Sequence, residues 1–183
     1  FFELSVTTRT EAYAQAVGVS KLKGNKLITV APDYEWGRME HENFVTPLKK
    51  FRPDVEIIGE FWPKLGEKDF TTYITAIIAK NPDIVWIANW GADLIALIKQ
   101  AKPYAFFEKF TVVVPGELAA LAALGNDAPE GAFSWDRVPF YAIDTKEMKA
   151  FVEDYKTRFG GHFPTGWPVL GYEGVLTVKY GIE

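Results

Sequence analysis

The segment LITVAPDYEWGRMEHENFVTPLKKFRPDVEII, residues 27–58, decides the fold because it places a helical segment between two apolar runs. These runs, Leu27 to Val30 and Val55 to Ile58, each have the length of a buried strand. Three more runs follow, and the first of them comes after an interval of about 29 residues, the length of a strand–helix–strand unit. They are Ile84 to Ile87, Thr111 to Val114 and Ala132 to Trp135. We therefore predict an α/β fold with an open parallel sheet flanked by helices and joined by right-handed crossovers.

Helical segments lie between the apolar runs. Residues 38–51 and 92–101 each follow a run and carry apolar side chains on one side. A third segment repeats apolar side chains at helical spacing from Phe70 to Ile78, and Asp69 is expected to cap its start. The alternation of runs and helices supports the parallel sheet.

Two helices without a strand between them follow Trp135. The first is predicted from Asp144 to Glu147, which has the spacing of a capping box, and the second covers about residues 169–180. Because helices need another layer to cover their apolar sides, a boundary is expected here. We place this boundary near Trp135 to Tyr141.

The ends of the sequence suggest a fragment of a longer protein. Phe1 opens the chain where a methionine would normally stand, and an apolar helical pattern stops at Glu183 without a cap. We expect the apolar sides within residues 136–183 to be covered by chain outside this sequence or by self-association, or the segment to be disordered.

Composition excludes several classes of protein. The chain has 183 residues, is 48% hydrophobic and carries a net charge of −4, so it forms a real core but lacks the basic field that binds nucleic acid. It has no cysteine, which excludes thiolate metal sites and disulfides within it. No apolar run reaches the length of about 20 residues that spans a bilayer.

Catalytic motifs are absent from the sequence. It contains no phosphate-binding loop, no dinucleotide fingerprint and no nucleophile elbow. His41 and His162 have no partner at metal-ligand spacing, and Asp33 and Glu35 fit acids at a helix start better than an acid/base pair. We expect no enzyme activity, no metal and no cofactor.

The candidate site lies at three junctions where a strand leads into a helix. They are Tyr34 to Gly37, Asn89 to Gly91, and Pro115 to Glu117. Loops that leave the carboxyl ends of neighbouring parallel strands line one crevice, so Trp36, Trp90 and Glu117 are predicted to converge there. The rings provide apolar walls, and a carboxylate that loses water needs a cation such as a ligand amine. Loop packing for the rings and a helix-start role for Glu117 are the alternatives.

Several short motifs carry a family resemblance in their order and spacing. They are Ala31 to Gly37, Gly66 to Tyr73, Pro82 to Val85, Ala128 to Gly131, Lys149 to Val152 and Gly171 to Val175. With them, the chain resembles the extracellular ligand-binding proteins of branched-chain amino acid ABC importers, which have a type I periplasmic binding fold. The resemblance covers essentially the whole sequence. It implies that residues 1–134 form the second, C-terminal-type ligand-binding lobe, and that residues 135–183 form a crossover and a partial, mostly helical first lobe of N-terminal type. The opening part of that first lobe is expected to lie outside this sequence.

The resemblance implies two lobes that close on a ligand, an ABC permease as partner, and a periplasmic or extracellular location. Trp36 lies where the family usually has a tyrosine, and Trp90 lies where it has an aromatic residue. Glu117 corresponds to the acid that receives the ligand ammonium, and Trp167 lies near an aromatic residue of the other lobe. Tyr34 is included among the candidate ligand-binding residues because it lies beside Trp36 at the same junction.

Two departures from the family pattern leave the ligand open. Tryptophans replace smaller rings, and Asn89 stands where glycine is common. An amino acid or related amine-bearing compound is the first hypothesis for the ligand, and an aromatic or other non-amino-acid solute is an alternative. A sensor or receptor domain of the same fold is a second alternative, and an α/β enzyme is a third.

Overall fold

The structure, a computed structural model, describes residues 6–182 of the chain. These residues divide into two compact units, one from Thr7 to Trp135 and one from Asp136 onward that includes Val6. Each unit is described by itself. The assignment of residues 1–134 and 135–183 to different lobes of a binding protein stays a prediction.

The larger unit is built on a parallel sheet of five strands in the order β2-β1-β3-β4-β5. Every neighbouring pair is parallel. The strands are β1 (Lys26–Val30), β2 (Glu56–Phe61), β3 (Ile84–Ile87), β4 (Thr111–Pro115) and β5 (Phe133–Trp135). The predicted open parallel sheet is confirmed, and each of its strands overlaps a predicted apolar run.

Six helices flank this sheet within residues 7–135, with short 3-10 turns at Lys102–Tyr104 and Gly125–Asp127. They are α1 (Thr8–Val19), α2 (Glu35–Phe51), α3 (Thr71–Lys80), α4 (Gly91–Ala101), α5 (Phe106–Lys109) and α6 (Leu118–Leu124). The capping expectation for Asp69 needs correction, because the cap position of α3 is Phe70. The Asp69 carboxylate instead accepts a hydrogen bond from the backbone N–H of Thr71 at 3.0 Å, in a local turn.

The sheet has one apolar core on each face. In β3, Val85 and Ile87 belong to the core under α3, α4 and α6, whereas Ile84 and Trp86 belong to the core under α1 and α2. This alternation is the period of a strand buried on both sides. The ring of Trp86 stacks on Phe44 of α2, with 4.2 Å between ring centroids. The two cores therefore hold α2, α4 and α6, the helices at whose starts the candidate site lies.

A buried polar chain joins α1, β3 and α2. The indole N–H of Trp86 donates to Oε1 of Gln15 at 2.8 Å, and Nε2 of Gln15 donates to Oε1 of Glu40 at 2.7 Å. Gln15 is 4% exposed and Glu40 is 1% exposed. Buried polar groups of this kind are tolerated because they are hydrogen-bonded.

The smaller unit is mostly helical, as predicted, with a 3-10 turn at Phe140–Ala142 and helices α7 (Lys146–Arg158) and α8 (Gly166–Ile182). The cap of α7 is Thr145, whose side chain accepts from the N–H of Met148, so the predicted box from Asp144 to Glu147 is wrong by one residue. A groove of about 900 Å³ between α7 and α8 is lined by Phe151, Tyr155 and Tyr172, among others. Self-association through this unit stays a prediction.

Candidate functional site

The candidate site lies at the carboxyl ends of β1, β3 and β4, which are neighbours in the sheet. Each of these strands leads into a helix, α2, α4 and α6 in turn. The chain runs from β1 outward to β2 on one side and continues from β3 on the other side. The gap between β1 and β3 is therefore the switch point, where open α/β sheets bind ligands.

The first junction presents the rings of Tyr34 and Trp36. Their centroids are 6.0 Å apart, and both side chains are half-buried. The helix was predicted from residue 38, but α2 begins at Glu35, so Trp36 and Gly37 lie in its first turn and Tyr34 takes the cap position. Gly37 permits a close approach to the backbone before the helix, since a Cβ there would lie 2.0 Å from the carbonyl oxygen of Pro32.

The third strand of the chain presents Trp90, whose ring makes contact with the first junction. Trp90 is 45% exposed, and its Nε1 donates a hydrogen bond to the hydroxyl of Tyr34 at 3.2 Å. It occupies the cap position of α4, and Gly91, which follows, adopts a φ of 55°. Glycine takes this left-handed conformation without steric cost. The structure thus brings Tyr34, Trp36 and Trp90 together.

Glu117 joins the same group from β4. It occupies the cap position of α6, but its side chain does not cap that helix. Its Oε2 instead accepts a hydrogen bond from the backbone N–H of Gly91 at 3.4 Å, at the start of α4. The positive end of α4 favours this carboxylate. Glu117 is therefore a helix-start acid for the neighbouring helix, and its half-buried side chain is held beside Trp90 by that contact.

Asn89 is a candidate that sequence reasoning did not assign to the site. Its side chain is 0% exposed, and neither Oδ1 nor Nδ2 has a hydrogen-bond partner among the described residues. It stands between Ala88, whose N–H donates to the carbonyl of Val30 at 2.8 Å, and Trp90. The only sign of its importance in the sequence was that Asn89 stands where the resembled family usually has glycine.

Charged side chains lie next to the first junction. Nε of Arg38 donates to Asp33 at 2.9 Å, and its guanidinium lies 3.7 Å from the ring centroid of Trp62. Asp33 therefore forms an ion pair with Arg38, whereas from the sequence it was interpreted only as an acid at the start of a helix. His41, expected to be without a carboxylate partner, has Nε2 3.7 Å from Oε1 of Glu60. Burial lowers the pKa of His41, and the Glu60 charge opposes this effect.

Trp167, the remaining predicted site residue, belongs to the smaller unit. It lies in the first turn of α8 and is 59% exposed. The guanidinium carbon of Arg137 lies 4.8 Å from its ring centroid, a cation–π distance. Its contribution to a ligand site stays a prediction.

The described part of the chain lacks two features of other classes of protein. Within residues 6–182, no three His, Cys, Asp or Glu side chains come together in a way that would hold a metal ion. In the same residues, no helix has the length and apolar character to cross a membrane.

The fold and this group of side chains are typical of a small-molecule binding domain: rings and one acid meet at the switch point of a parallel sheet. The chain matches the periplasmic binding protein family over residues 1–183 and belongs to that family. This match confirms the resemblance recognised in the sequence. Membership of a binding-protein family also agrees with the prediction that the chain is not an enzyme.

The chain is similar to known proteins and to solved structures. The Leu/Ile/Val-binding protein homolog 4 of Brucella abortus (strain 2308) is 28% identical over 169 residues, which are 90% of this chain and 38% of that protein. The substrate-binding protein of an amino acid ABC transporter from Pseudomonas fluorescens Pf-5 is 26% identical, with a TM-score of 0.70 over 88% of this chain and 43% of the other.

A third similar structure has a different ligand. The solute-binding protein of an ABC transporter from R. palustris, solved in complex with benzoate, has a TM-score of 0.81 at 18% identity, over 94% of this chain and 47% of the other. This likeness shows a shared fold. The chain spans less than half the length of each of these relatives.

Proposed function

We propose that the protein is the solute-binding component of an ABC importer and that it binds an amino acid or a related amine-bearing compound. The observation that carries the proposal is the convergence of three junctions at the switch point. Trp90 bonds to Tyr34, and Glu117 bonds to the start of α4 directly after Trp90. Family membership and the names of the relatives support the same class of function.

The chemistry of the group suits an ammonium ligand. Glu117 is half-buried, and the backbone N–H of Gly91 donates to its Oε2 at the long distance of 3.4 Å. A carboxylate oxygen accepts more than one hydrogen bond, so Glu117 retains the capacity to receive an ammonium. The faces of Trp36 and Trp90 would add apolar contact and cation–π attraction of about 0.5–2 kcal/mol.

In the whole protein, we assign residues 1–134 and 135–183 to opposite lobes, with Trp167 as a contact from the second. A ligand that touches both lobes favours the closed state, because only that state offers both sets of contacts. The closed protein would deliver its solute to an ABC permease from the periplasm. The resemblance and the family support these assignments.

An aromatic carboxylate is the second candidate ligand. The observation that favours it is the number of rings: Tyr34, Trp36 and Trp90 meet at one site. The likeness in fold to a benzoate complex is consistent with this candidate. Glu117 opposes it, because a ligand carboxylate beside this acid would be repelled. The two candidates therefore predict opposite effects when the charge of Glu117 is removed.

Isothermal titration of the protein as its gene encodes it, with L-leucine and with benzoate, tests the proposal. We expect Glu117→Gln to weaken L-leucine binding by about 2–4 kcal/mol, roughly 30- to 700-fold, because a charged hydrogen bond in a partly closed site is lost. Glu130→Gln is the matched control, since this exposed acid lies in the loop before β5 and should leave affinity unchanged.

The outcome separates the candidates. Unchanged L-leucine affinity in Glu117→Gln would refute the role of Glu117 as the ammonium anchor. If the protein binds benzoate but not L-leucine, and Glu117→Gln binds benzoate more tightly than the wild type, the aromatic carboxylate is favoured instead.

A further inference from the structure

The side-chain amide of Asn89 is the feature of the site that packing does not explain. It is 0% exposed, and neither its oxygen nor its nitrogen has a hydrogen-bond partner among residues 6–182. Buried polar groups in native proteins are nearly always paired, so each exception requires a reason. An amide carries a double requirement, because it needs both a donor and an acceptor opposite it.

Gln15 shows how this chain treats a buried amide that serves structure alone. It is 4% exposed, close to the burial of Asn89, and both of its polar atoms are used. Its oxygen accepts from Trp86 at 2.8 Å, and its nitrogen donates to Glu40 at 2.7 Å. The contrast indicates that Asn89 has a partner outside the protein chain.

The position of Asn89 links it to the site. Ile87 belongs to the core under α3, α4 and α6, and Ala88 belongs to the opposite core. The strand β3 ends at Ile87, and continuing its alternation through Ala88 to Asn89 puts Asn89 on the side of α4 and α6. Glu117 makes its contact with Gly91 on that same side, two residues further along the chain than Asn89.

We propose that Asn89 is a specificity-determining residue that binds a neutral hydrogen-bonding group of the ligand, such as a hydroxyl or a carboxamide. The proposal rests on the proposed function, in which Glu117 receives the ligand ammonium. A neutral group suits the amide because it supplies both a donor and an acceptor without a second charge. A carboxylate does not suit it, because Glu117 is close in the same site.

Access to the amide requires neighbouring residues to move, because Asn89 is 0% exposed in this structure. The proposal therefore includes a local rearrangement around Asn89 when a ligand binds.

The test compares amino acids of the same shape that differ in one polar group. Affinities of the protein as its gene encodes it are measured by calorimetry for L-threonine against L-valine and for L-asparagine against L-leucine. We expect the polar member of at least one pair to bind on the order of 10-fold more tightly, because it alone satisfies the buried amide. In Asn89→Leu, we expect that preference to vanish while affinity for the apolar member stays within about 3-fold.

Gln15→Met is the matched control, since it removes a buried amide away from the site and should keep the wild-type ratios. Wild-type ratios below about 3 in both pairs, or ratios that Asn89→Leu leaves unchanged, would overturn the inference. The wild-type ratios decide the matter even if Asn89→Leu does not fold. If the wild-type protein binds none of the four amino acids, the inference and the amino-ligand assignment both fail; normal binding with unchanged ratios overturns the inference alone.

Discussion

Replacement of Gln15 by methionine should lower the free energy of unfolding of the larger unit without changing its packing. Methionine has nearly the length and volume of glutamine but no amide. The substitution removes the acceptor of Trp86 Nε1 at 2.8 Å and the donor to Glu40 Oε1 at 2.7 Å. Because all three side chains are buried, water does not replace these partners.

The magnitude follows from the two bonds. The neutral bond between Trp86 and Gln15 contributes about 0.5–1.5 kcal/mol, and the bond to the Glu40 carboxylate contributes about 1.5–3 kcal/mol. Their loss should lower the free energy of unfolding by about 2–4 kcal/mol. Removal of the amide of Asn89 is different, because its atoms have no partner among the described residues to lose. Asn89→Leu should therefore stay within about 1 kcal/mol of the wild type or be more stable.

Equilibrium unfolding in urea, followed by far-ultraviolet circular dichroism, measures both variants. The midpoint should fall in Gln15→Met at an unchanged dependence on urea, since the surface exposed on unfolding stays the same. A Gln15→Met protein as stable as the wild type would refute the reasoning. An Asn89→Leu loss equal to that of Gln15→Met would also refute it, because the two amides would then be equivalent.

Two further predictions concern stability. Gly37→Ala should lower the free energy of unfolding by more than about 2 kcal/mol, because its Cβ would lie 2.0 Å from the Pro32 carbonyl oxygen. Gly18→Ala in α1 should raise it by up to about 1 kcal/mol, since no heavy atom lies within 4 Å of the added Cβ. Equal urea midpoints in the two variants would contradict this prediction. Burial lowers the pKa of His41 from its ordinary value of 6.5, so the unfolded chain takes up the proton first and stability falls as the pH drops below about 6.5. His41→Asn should reduce the pH dependence of the urea midpoint between about pH 5 and 8. If His162→Asn removes this pH dependence and His41→Asn does not, the assignment to His41 is wrong.

The fold was largely readable from the sequence because apolar runs at regular spacing leave few arrangements other than a parallel sheet. Helix α1 was not, although it packs in the core with Ala12, Gln15 and Ala16 buried. Small side chains and a glutamine produce no apolar stripe, so the helical period is hidden. The buried role of Gln15 depends on Trp86, which lies 71 residues away.

The site was readable in its position and hidden in its contacts. Strand order alone brings the three junctions to one edge of the sheet, which is why the grouping of Trp36, Trp90 and Glu117 followed from topology. The hydrogen bond from Gly91 to Glu117 depends on where α4 starts, and helix starts are read poorly from sequence. For Asn89 the sequence showed only that it stands where the family usually has glycine, because the absence of a partner among the described residues is a property of packing.

The hydrogen bonds that join the junctions also make the site a marker of late folding. Trp90 and Tyr34 are 56 residues apart, and Gly91 and Glu117 are 26 apart. Contacts between distant parts of a chain form only after the loops between them have closed, at a cost in entropy. A chain that has collapsed but has not yet paired β1 with β3 and β3 with β4 contains every site residue and no site. The time at which ligand binding appears during refolding would therefore report when the strands of the sheet pair, and not when its apolar side chains become buried.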